Sequence, residues 1–519
     1  MAQATLVKRG AYHDSVALLT LARALRGRAG VRDAAVVMGT PANRDLLAQA
    51  GLLTEEAGTA TPNDLVIVVE AETPAVAQAA AAAAEPLLAR STPGGDGGRR
   101  PPPRTIAGAI RRMPEANLAL ISVPGAFAAA EARAALAAGL NVMLWSDNVS
   151  LRDEVALKHD ALERGLLLMG PDCGTAYLAA VALGFANAVP SGRVGAVAAS
   201  GTGLQEVATL LAGRGHGLSH AIGVGGRDMS EEVGGLMTLA ALDLLGEDAA
   251  TELIVVIGKP PAPAVGRRIR GKLATIGKPV VVCLLGRDVA AGTDGPVTTV
   301  ATLEDAALAV DAALAGAPWR PRVFSVADVA GRISQARRGL APGQSSVLGL
   351  YAGGTLAHES LLILEPLLGP VASNLTGGKG RHRVIDLGAD EFTVGRAHPM
   401  LDPTTRVEMI GGAGEQADLA VLLLDVVLGH GAAADPAGDI APALEAACGA
   451  ARARGRGLAV VASVVGTARD PQGLPAQVAR LEAAGAWVLP SNAQAARAAA
   501  GIAGGEAILA ALLGPGAHA

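Results

Sequence analysis

This chain of 519 residues has few aromatic residues and no excess of positive charge. Aromatics make up 2% of it, with three Trp, three Tyr and four Phe, so few side chains could stack on single-stranded bases. Its 43 basic residues are outnumbered by 48 acidic ones, whereas contacts to a phosphate backbone need a basic excess. We therefore expect no nucleic-acid partner.

Cysteines and long apolar runs are also scarce. Cys173, Cys283 and Cys448 are far apart and form no CxxC pair, which argues against a disulfide framework or a zinc site. No uninterrupted apolar stretch reaches the roughly 18 residues that cross a membrane, and the N-terminus lacks the apolar core of a secretory signal. We expect a cytoplasmic protein with no metal site and no membrane partner.

What the chain does contain is 50% hydrophobic residues and 67 glycines, which excludes a disordered chain. Short Val/Ile/Leu runs bounded by turn residues, such as Val194–Ala199, Leu253–Ile257 and Val280–Leu285, alternate with Ala/Leu-rich stretches. This pattern is typical of parallel strands buried on both faces and predicts an α/β fold with several parallel sheets.

A Pro/Gly/Arg-rich stretch without periodicity, STPGGDGGRRPPPR at residues 91–104, predicts an exposed linker. The predicted order is a small N-terminal α/β module at 1–90, the linker at 91–104, a Rossmann-like domain at 105–190, a flavodoxin-like domain at 191–316, a second linker at 317–344, and a second flavodoxin-like domain at 345–519.

The two flavodoxin-like segments form an internal repeat. The strand Val194–Ala199 leads into Ser200-Gly201-Thr202-Gly203 and a helix, and the strand Leu348–Tyr351 leads into Ala352-Gly353-Gly354-Thr355 and a helix. In each segment a further glycine-containing turn and two more buried strands follow in the same order. We interpret the two segments as halves related by pseudo-symmetry.

Glycine-rich turns between a strand and a helix predict anion sites, because unpaired backbone N–H groups and the positive helix end meet there. The predicted anion-binding residues are Ser200, Gly201, Thr202, Gly203, Gly225, Gly226, Gly353, Gly354 and Thr355. The competing interpretation is that the Ser/Thr/Gly turns only cap helices. Neither a Walker A loop nor a dinucleotide fingerprint is present.

Two cations accompany these turns. Arg227 follows the turn GVGG, where a guanidinium beside bare backbone suits a carboxylate or phosphate, although a tight turn with a surface arginine is an equally ordinary interpretation. Lys259 closes a buried strand and should point into the crevice at the carboxyl edge of the sheet.

A polar cluster in the second half holds a further candidate. His398 and Asp402 could form an oriented acid/base pair, although a structural loop held by Arg396 and Asp402 is the more ordinary alternative. Asp172 and Cys173 follow another strand and, together with Arg396 and Asp402, mark a possible edge of the site. A nucleophilic Cys173 is the less favoured interpretation.

These motifs resemble a known family. The runs GPDCGT (170–175), SGTGLQE (200–206), GVGG (223–226) and KPVVV (278–282) resemble the α subunit of succinyl-CoA synthetase, and the second repeat resembles the carboxyl domain of its β subunit. With TPANRDLL (40–47) and DEFTVGRAHPMLDPT (390–404), the fusion resembles the FdrA family. The resemblance implies a CoA-binding-type domain at 105–190 and CoA-ligase-type flavodoxin domains for both halves.

The chain departs from the ligase pattern at the residues that carry phosphate chemistry. In the nucleotide-forming ligases a phosphohistidine follows the KPVVV strand, whereas here Arg287-Asp-Val-Ala-Ala-Gly-Thr-Asp-Gly-Pro contains no histidine. The glutamate that partners this histidine falls on Lys259. Both changes argue against a phosphohistidine relay, and no ATP-grasp domain is evident.

FdrA-like proteins resemble one subunit of oxamate carbamoyltransferase, which converts oxalurate and phosphate into oxamate and carbamoyl phosphate in allantoin breakdown. The resemblance implies a hetero-oligomeric enzyme acting on small anions, and we expect Lys259, Arg227 and His398 to be its catalytic residues here. One alternative is an acyl-CoA synthetase that works with a separate ATP-grasp partner, in which case CoA would bind; otherwise we expect no particular cofactor. The third interpretation is a non-catalytic scaffold subunit.

Overall fold

The computed structural model describes residues 2–11, 15–91, 103–287, 289–393 and 397–513. The chain divides into two compact units, one formed by the N-terminal 102 residues and one from Pro103 onward, apart from residues 394–397. Along the described part, no helix is both long and apolar enough to cross a membrane.

The N-terminal unit is an antiparallel three-stranded sheet in the order β1-β3-β2 with helices on both faces. Its elements are β1 (Ala2–Lys8), α1 (Ser15–Arg26), β2 (Val31–Met38), α2 (Pro41–Gln49), α3 (Glu55–Gly58), β3 (Leu65–Ala71) and α4 (Pro74–Ser91). Successive residues of β3 face opposite sides. Ile67 therefore packs with α1 and α4, and Val66 packs with α2 and the loops that flank α3.

The second unit begins with a parallel sheet of three strands in the order β4-β5-β6. Its elements are α5 (Ile106–Ile110), β4 (Leu118–Ile121), α6 (Gly125–Ala137), β5 (Asn141–Leu144), α7 (Leu151–Glu163) and β6 (Leu168–Met169). Three strands are half of what a doubly wound dinucleotide-binding domain contains.

An eight-stranded sheet follows, in the order β13-β14-β12-β11-β9-β10-β7-β8. Its elements are β7 (Thr175–Leu178), β8 (Val181–Gly184), β9 (Ser191–Ala198), α8 (Gly201–Gly213), β10 (Leu218–Gly223), α9 (Leu236–Glu247), β11 (Leu253–Gly258), α10 (Pro263–Leu273), β12 (Val280–Leu284), β13 (Gly292–Asp294), β14 (Val297–Thr299) and α11 (Leu303–Leu314). The strands β9 to β12 and β14 are parallel, whereas β7, β8 and β13 add antiparallel edges.

The last sheet has six strands, all parallel, in the order β16-β17-β15-β18-β19-β20. Its elements are α12 (Val329–Arg338), β15 (Ser346–Tyr351), α13 (Gly354–Leu368), β16 (Val371–Ser373), β17 (His382–Asp386), α14 (Asp390–Thr393), α15 (Thr404–Ala413), β18 (Leu419–Val427), α16 (Pro436–Ala453), β19 (Ala459–Val465), α17 (Leu474–Ala483), β20 (Ala486–Leu489), α18 (Asn492–Gly504) and α19 (Glu506–Leu513). The predicted α/β class with parallel sheets is confirmed.

The antiparallel hairpin β7–β8 was not predicted. Its turn consists of Ala179 and Ala180, both with positive φ, where hairpin turns usually carry Asn or Gly. With no turn residue to mark it, the hairpin cannot be recognised from the sequence pattern. It supplies the outer edge of the eight-stranded sheet next to β10.

Candidate functional site

The two helix starts of the repeat meet at one place in the second unit. Helix α8 begins after Ser200 and helix α13 after Gly353. The hydroxyl oxygens of Ser200 and Thr355 are 2.6 Å apart. A Cβ on Gly353 would lie 3.1 Å from Cβ of Thr202, so a larger residue there would require the two turns to shift by a few tenths of an ångström. The anion-binding turns predicted from the two halves are thus neighbours.

The first helix start is open to an added group. Ser200 Oγ accepts a hydrogen bond of 3.0 Å from the N–H of Gly203 and so caps the helix. The N–H groups of Gly201 and Thr202 have no acceptor among the residues that the structure describes, and the turn is half-buried. Such N–H groups at the positive end of a helix form an anion site.

Carboxyl groups of the protein lie beside the second helix start, where the N–H groups of Gly354 and Thr355, like those of Gly201 and Thr202, have no acceptor among the described residues. The Asp425 oxygens accept hydrogen bonds of 2.8 Å from the N–H groups of Ala352 and Gly353, and the Arg406 guanidinium donates to the same carboxylate at 2.9 Å. Burial raises the pKa of Asp425, and these three donors oppose that shift. An internal carboxylate therefore stands where an external anion was expected.

A second carboxyl group lies at the same helix start. Oδ2 of Asp386 lies 2.5 Å from the position that a Cβ on Gly354 would take. Burial raises the pKa of Asp386 to about 6, and the charge of Lys259 opposes this rise. Gly354 is thus required for the approach of this carboxyl group to α13.

Strand register explains why carboxyl groups lie beside only one of the two helix starts. Ala198 and Tyr351 each precede the N-cap of their helix by two residues, and they lie opposite Gly223 and Asp386. On the other side, Ala198 lies opposite Ile257, whereas Asp425 directly follows Leu424, the partner of Leu350. The first half therefore carries Gly223 and Ile257 where the second half carries Asp386 and Asp425.

Lys259 follows β11 at this edge and is exposed. Its charge lowers the pKa of Asp386 and that of His358 on α13, which places the ammonium group near the second helix start. None of the ion pairs between described residues uses Lys259. Its charge is available to a bound anion.

Arg227 is engaged within the protein. It pairs with Glu154 at 2.8 Å and donates to the carbonyl of Val149 at 2.8 Å, while its side chain remains 48% exposed. Glu154 also accepts from the fully buried Lys158, which donates in turn to Asp228. This buried network, which the sequence did not reveal, ties α7 to the turn at 223–228.

The glycines of that turn differ in their surroundings. Gly225 has φ +85°, and a Cβ there would lie 2.4 Å from the carbonyl oxygen of Pro171. A Cβ on Gly226 would meet nothing within 4 Å. Gly225 is thus needed for backbone packing, and the anion-binding role of both residues stays a prediction.

His398 lies beside the second helix start. Its Nε2 is 2.6 Å from the position of a Cβ on Gly388, and its Nδ1 accepts from the N–H of Met400 at 3.3 Å. Burial lowers the pKa of His398 to about 4, so the ring is neutral near pH 7. Asp402 accepts from the N–H of Thr404 at the start of α15. Arg396 lies outside the described residues.

Asp172 and Cys173 follow β6. Burial raises the pKa of the Cys173 thiol to about 12, so this cysteine is protonated and unsuited to nucleophilic attack. Asp172 adopts a left-handed conformation with φ 57°. Burial, with a smaller contribution from the neighbouring charge of Asp147, raises the pKa of Asp172 to about 6.

Comparisons with known proteins identify the family. The model described as "AllF, heavy metal-associated domain" matches residues 1–102, and the model described as "CoA-ligase" matches residues 350–502. YahF of Escherichia coli (strain K12) is 39% identical over 498 residues, which cover 94% of this chain and 96% of YahF. The chain belongs to the FdrA/AllF family. The resemblance seen in the sequence motifs is confirmed.

Part of this FdrA/AllF chain is also similar to succinate–CoA ligase subunits. The ADP-forming subunit alpha 2 of Archaeoglobus fulgidus is 29% identical over 155 residues, 28% of this chain and 52% of that subunit. The subunit alpha of Aquifex aeolicus is 32% identical over 150 residues, 28% of this chain and 48% of that subunit. Together with the CoA-ligase model, these relatives show that the second unit contains an acyl-CoA-ligase-like scaffold.

Two solved structures are similar at low TM-score. The apo form of a dinucleotide-forming acetyl-coenzyme A synthetase 1 from Ca. Korarchaeum cryptofilum has 17% identity and a TM-score of 0.32, with 76% of this chain and 83% of that chain covered. ATP citrate lyase from Methanothrix soehngenii has 17% identity and a TM-score of 0.33, with 45% and 46% covered.

The heavy-metal description does not fit the N-terminal unit of this chain. Soft metals are held by thiolate, thioether and imidazole ligands. Residues 1–102 contain no cysteine, and their single histidine, His13, lies outside the described residues. Met38 is buried in the core of the unit. The described residues of this unit therefore do not provide the ligands that a soft metal requires.

Proposed function

We propose that this chain is the phosphate-binding subunit of a carbamoyl-transferring enzyme that converts oxalurate and phosphate into oxamate and carbamoyl phosphate. The proposal rests on the resemblance to oxamate carbamoyltransferase. The observation that carries it is the open helix start at Ser200–Gly203, which faces the Thr355 hydroxyl and lies on the same edge as Lys259. Hydroxyl groups, free N–H groups and an unpaired ammonium group are the donors that phosphate requires.

The reaction then needs no covalent intermediate on the protein. An oxygen of bound phosphate attacks the ureido carbonyl carbon of oxalurate, a C–O bond forms, and the C–N bond to oxamate breaks as the nitrogen takes up a proton. The N–H groups of Gly201 and Thr202 and the Lys259 ammonium group would hold the phosphate in place. Positioning and preorganised charge would supply the acceleration.

The other two predicted catalytic residues have different roles in this proposal. Arg227 holds the loop at Val149 through its hydrogen bond and pairs with Glu154, so it shapes the wall of the site. His398, neutral and beside Gly388, would contact the leaving group without carrying a charge.

An acyl-CoA synthetase acting with a separate nucleotide-binding partner is the second candidate, and the CoA-ligase model at 350–502 favours it. One local feature opposes it. The segment at residues 285–296, directly after β12, carries Arg287, paired with Glu365, and contains no histidine.

Phosphate dependence of the complex tests the proposal. We would purify the chain with its partner subunits and measure carbamoyl phosphate formed from oxalurate and inorganic phosphate. Ser200→Ala should raise KM for phosphate about tenfold, the value of one lost hydrogen bond to an anion. Lys259→Met should lower kcat/KM about 100-fold, as expected when a charge that stabilises the transition state is removed.

Ser150→Ala is the matched control, because it removes another serine N-cap, at α7. This variant should leave KM for phosphate unchanged. Unaltered turnover in Lys259→Met would overturn the proposal. A thioester formed with ATP, CoA and an acid would favour the ligase, and activity indifferent to both site variants would favour a scaffold.

A further inference from the structure

The carboxyl group of Asp386 lies at the edge of the anion site and has no role in the reaction proposed above. It ends β17, and paired hydrogen bonds of 2.9 Å between its backbone and the Asn374 side chain hold it there. Its Oδ1 accepts from the N–H of Gly388 at 2.9 Å. Its Oδ2 points at Gly354 and accepts from no donor among the described residues. One oxygen is thus fixed and the other is left for a ligand.

A short series of contacts joins this carboxyl group to the open helix start. Oδ2 of Asp386 lies against Gly354, whose neighbour Gly353 approaches Thr202, and whose other neighbour Thr355 lies 2.6 Å from the Ser200 hydroxyl. The carboxyl group and the anion site therefore share one short stretch of α13.

The charged groups around Asp386 come from several elements. Asp425 at the end of β18 and Glu391 on α14 favour its protonated form, and Lys259 after β11 favours its ionised form. His398 lies against Gly388 and is neutral. Burial is the largest influence and favours the protonated form. A dianion bound nearby would add to this effect, because like charges disfavour one another.

We propose that Asp386 is the proton-carrying residue of the anion site: it takes up a proton when phosphate binds and delivers that proton to the leaving nitrogen. This deepens the proposed function and rests on it. As the C–N bond breaks, its electron pair goes to the nitrogen, which takes the proton from Oδ2. The proton of the attacking hydrogen phosphate then replaces it, so the net reaction is hydrogen phosphate and oxalurate to carbamoyl phosphate and oxamate.

Neighbouring groups are less suited to this role. Both oxygens of Asp425 are engaged by backbone N–H groups and Arg406. His398, with its pKa lowered to about 4, holds no extra proton near pH 7. Glu391 is exposed and accepts from Asn374 at 2.7 Å. Asp386 alone among these four combines a free oxygen with a pKa near 6.

Proton uptake on phosphate binding tests this proposal without enzyme activity. We would titrate inorganic phosphate into the full chain by isothermal calorimetry at pH 6.5, in two buffers of different ionisation enthalpy. Inorganic phosphate is itself partly protonated at pH 6.5 and releases a proton when it binds as the dianion, so the quantity compared is the difference between variants. The wild-type chain should take up about half a proton more per phosphate bound than Asp386→Asn, as linkage requires for a group whose pKa rises on binding. Asp386→Asn should still bind phosphate, and Asp386→Glu should restore part of the difference.

Asp390→Asn, which removes an exposed carboxyl group four residues further on, is the control and should keep the wild-type proton uptake. Thermal melts of each variant establish that it is folded. Equal proton exchange on phosphate binding by the wild type and by Asp386→Asn would overturn the role of Asp386 and leave the proposed function standing. Failure of the wild-type chain to bind phosphate would overturn both.

Discussion

The two halves of the repeat share a scaffold and differ at their helix starts. Glu206 and Glu359 each lie six residues after the N-cap of α8 or α13. Each accepts a hydrogen bond from the first residue of a helix in the other half, α18 or α11. Glu206 accepts from the N–H of Asn492 at 3.0 Å, and Glu359 from the N–H of Leu303 at 2.7 Å. These reciprocal caps hold the two halves together in a symmetric way.

The asymmetry lies on the strands beside the turns. Where the second half has Asp386 and Asp425, the first half has Gly223 and Ile257. One helix start therefore has carboxyl groups of the protein beside it, and the other has none on the matching strand positions. The comparison teaches that a glycine-rich turn does not by itself make an anion site, because residues on neighbouring strands decide whether negative charge already lies next to it.

Among the changes that test this comparison, removal of the Asp425 side chain should lower the free energy of unfolding the most. Asp425→Ala leaves Arg406 buried without its carboxylate and the N–H groups of Ala352 and Gly353 without an acceptor. Breaking a buried ion pair from one side costs about 3–5 kcal/mol, so we expect the urea midpoint to fall sharply. Ile257→Val, at the matching position of the first half, should cost about 1 kcal/mol. Equal losses of unfolding free energy in the two variants would show that the two halves do not differ at this position.

The sequence predicted the parallel strands well because they are continuous runs of branched residues. Val280–Leu285 was predicted and β12 spans Val280–Leu284. The helix after the first turn was also predicted, although it begins at Gly201 and not after Gly203, because Ser200 caps it. Both predictions depend on local features of the chain, which a sequence displays directly.

The carboxyl groups beside the second helix start could not be predicted, because their contacts join residues far apart in the sequence. Asp425 lies 72 residues from the Gly353 N–H that it accepts from, and neither its charge nor its spacing marks it as a cap. The reciprocal glutamates did leave a signal. Each occurs six residues after its N-cap position, so an alignment of the two repeats would have singled out Glu206 and Glu359.

Removal of one reciprocal cap should have a smaller effect. Glu359→Ala deprives the Leu303 N–H and the Asn492 side-chain amide of their acceptor. Unsatisfied buried donors cost about 1–3 kcal/mol, so urea unfolding should shift by an intermediate amount. Glu206→Ala should cost a similar amount if the symmetry extends to energetics. A large difference between these two variants would show that the halves differ in their shared scaffold as well as at their helix starts.

The pH dependence of stability should show the smallest effect. Burial raises the pKa of Glu206 from 4.5 to about 8 and that of Glu359 to about 7. The folded chain therefore binds more protons than the unfolded chain between about pH 5 and pH 8, and its stability should fall as pH rises through that window. Glu206→Gln keeps an acceptor for Asn492 without the ionisation, so its Tm should fall less between pH 6 and pH 8, by a few degrees.

Glu247→Gln is the control for this effect, because Glu247 is exposed at the end of α9. Its melting curves should follow those of the wild type at every pH. Glu359→Gln should reduce the pH dependence in the same direction as Glu206→Gln, since burial raises the pKa of both carboxyl groups in matching positions. If the dependence of Tm on pH is the same in the wild type and in all variants, Glu206 and Glu359 are ionised in the folded chain. The two halves would then be joined by carboxylates, like those that lie at the second helix start.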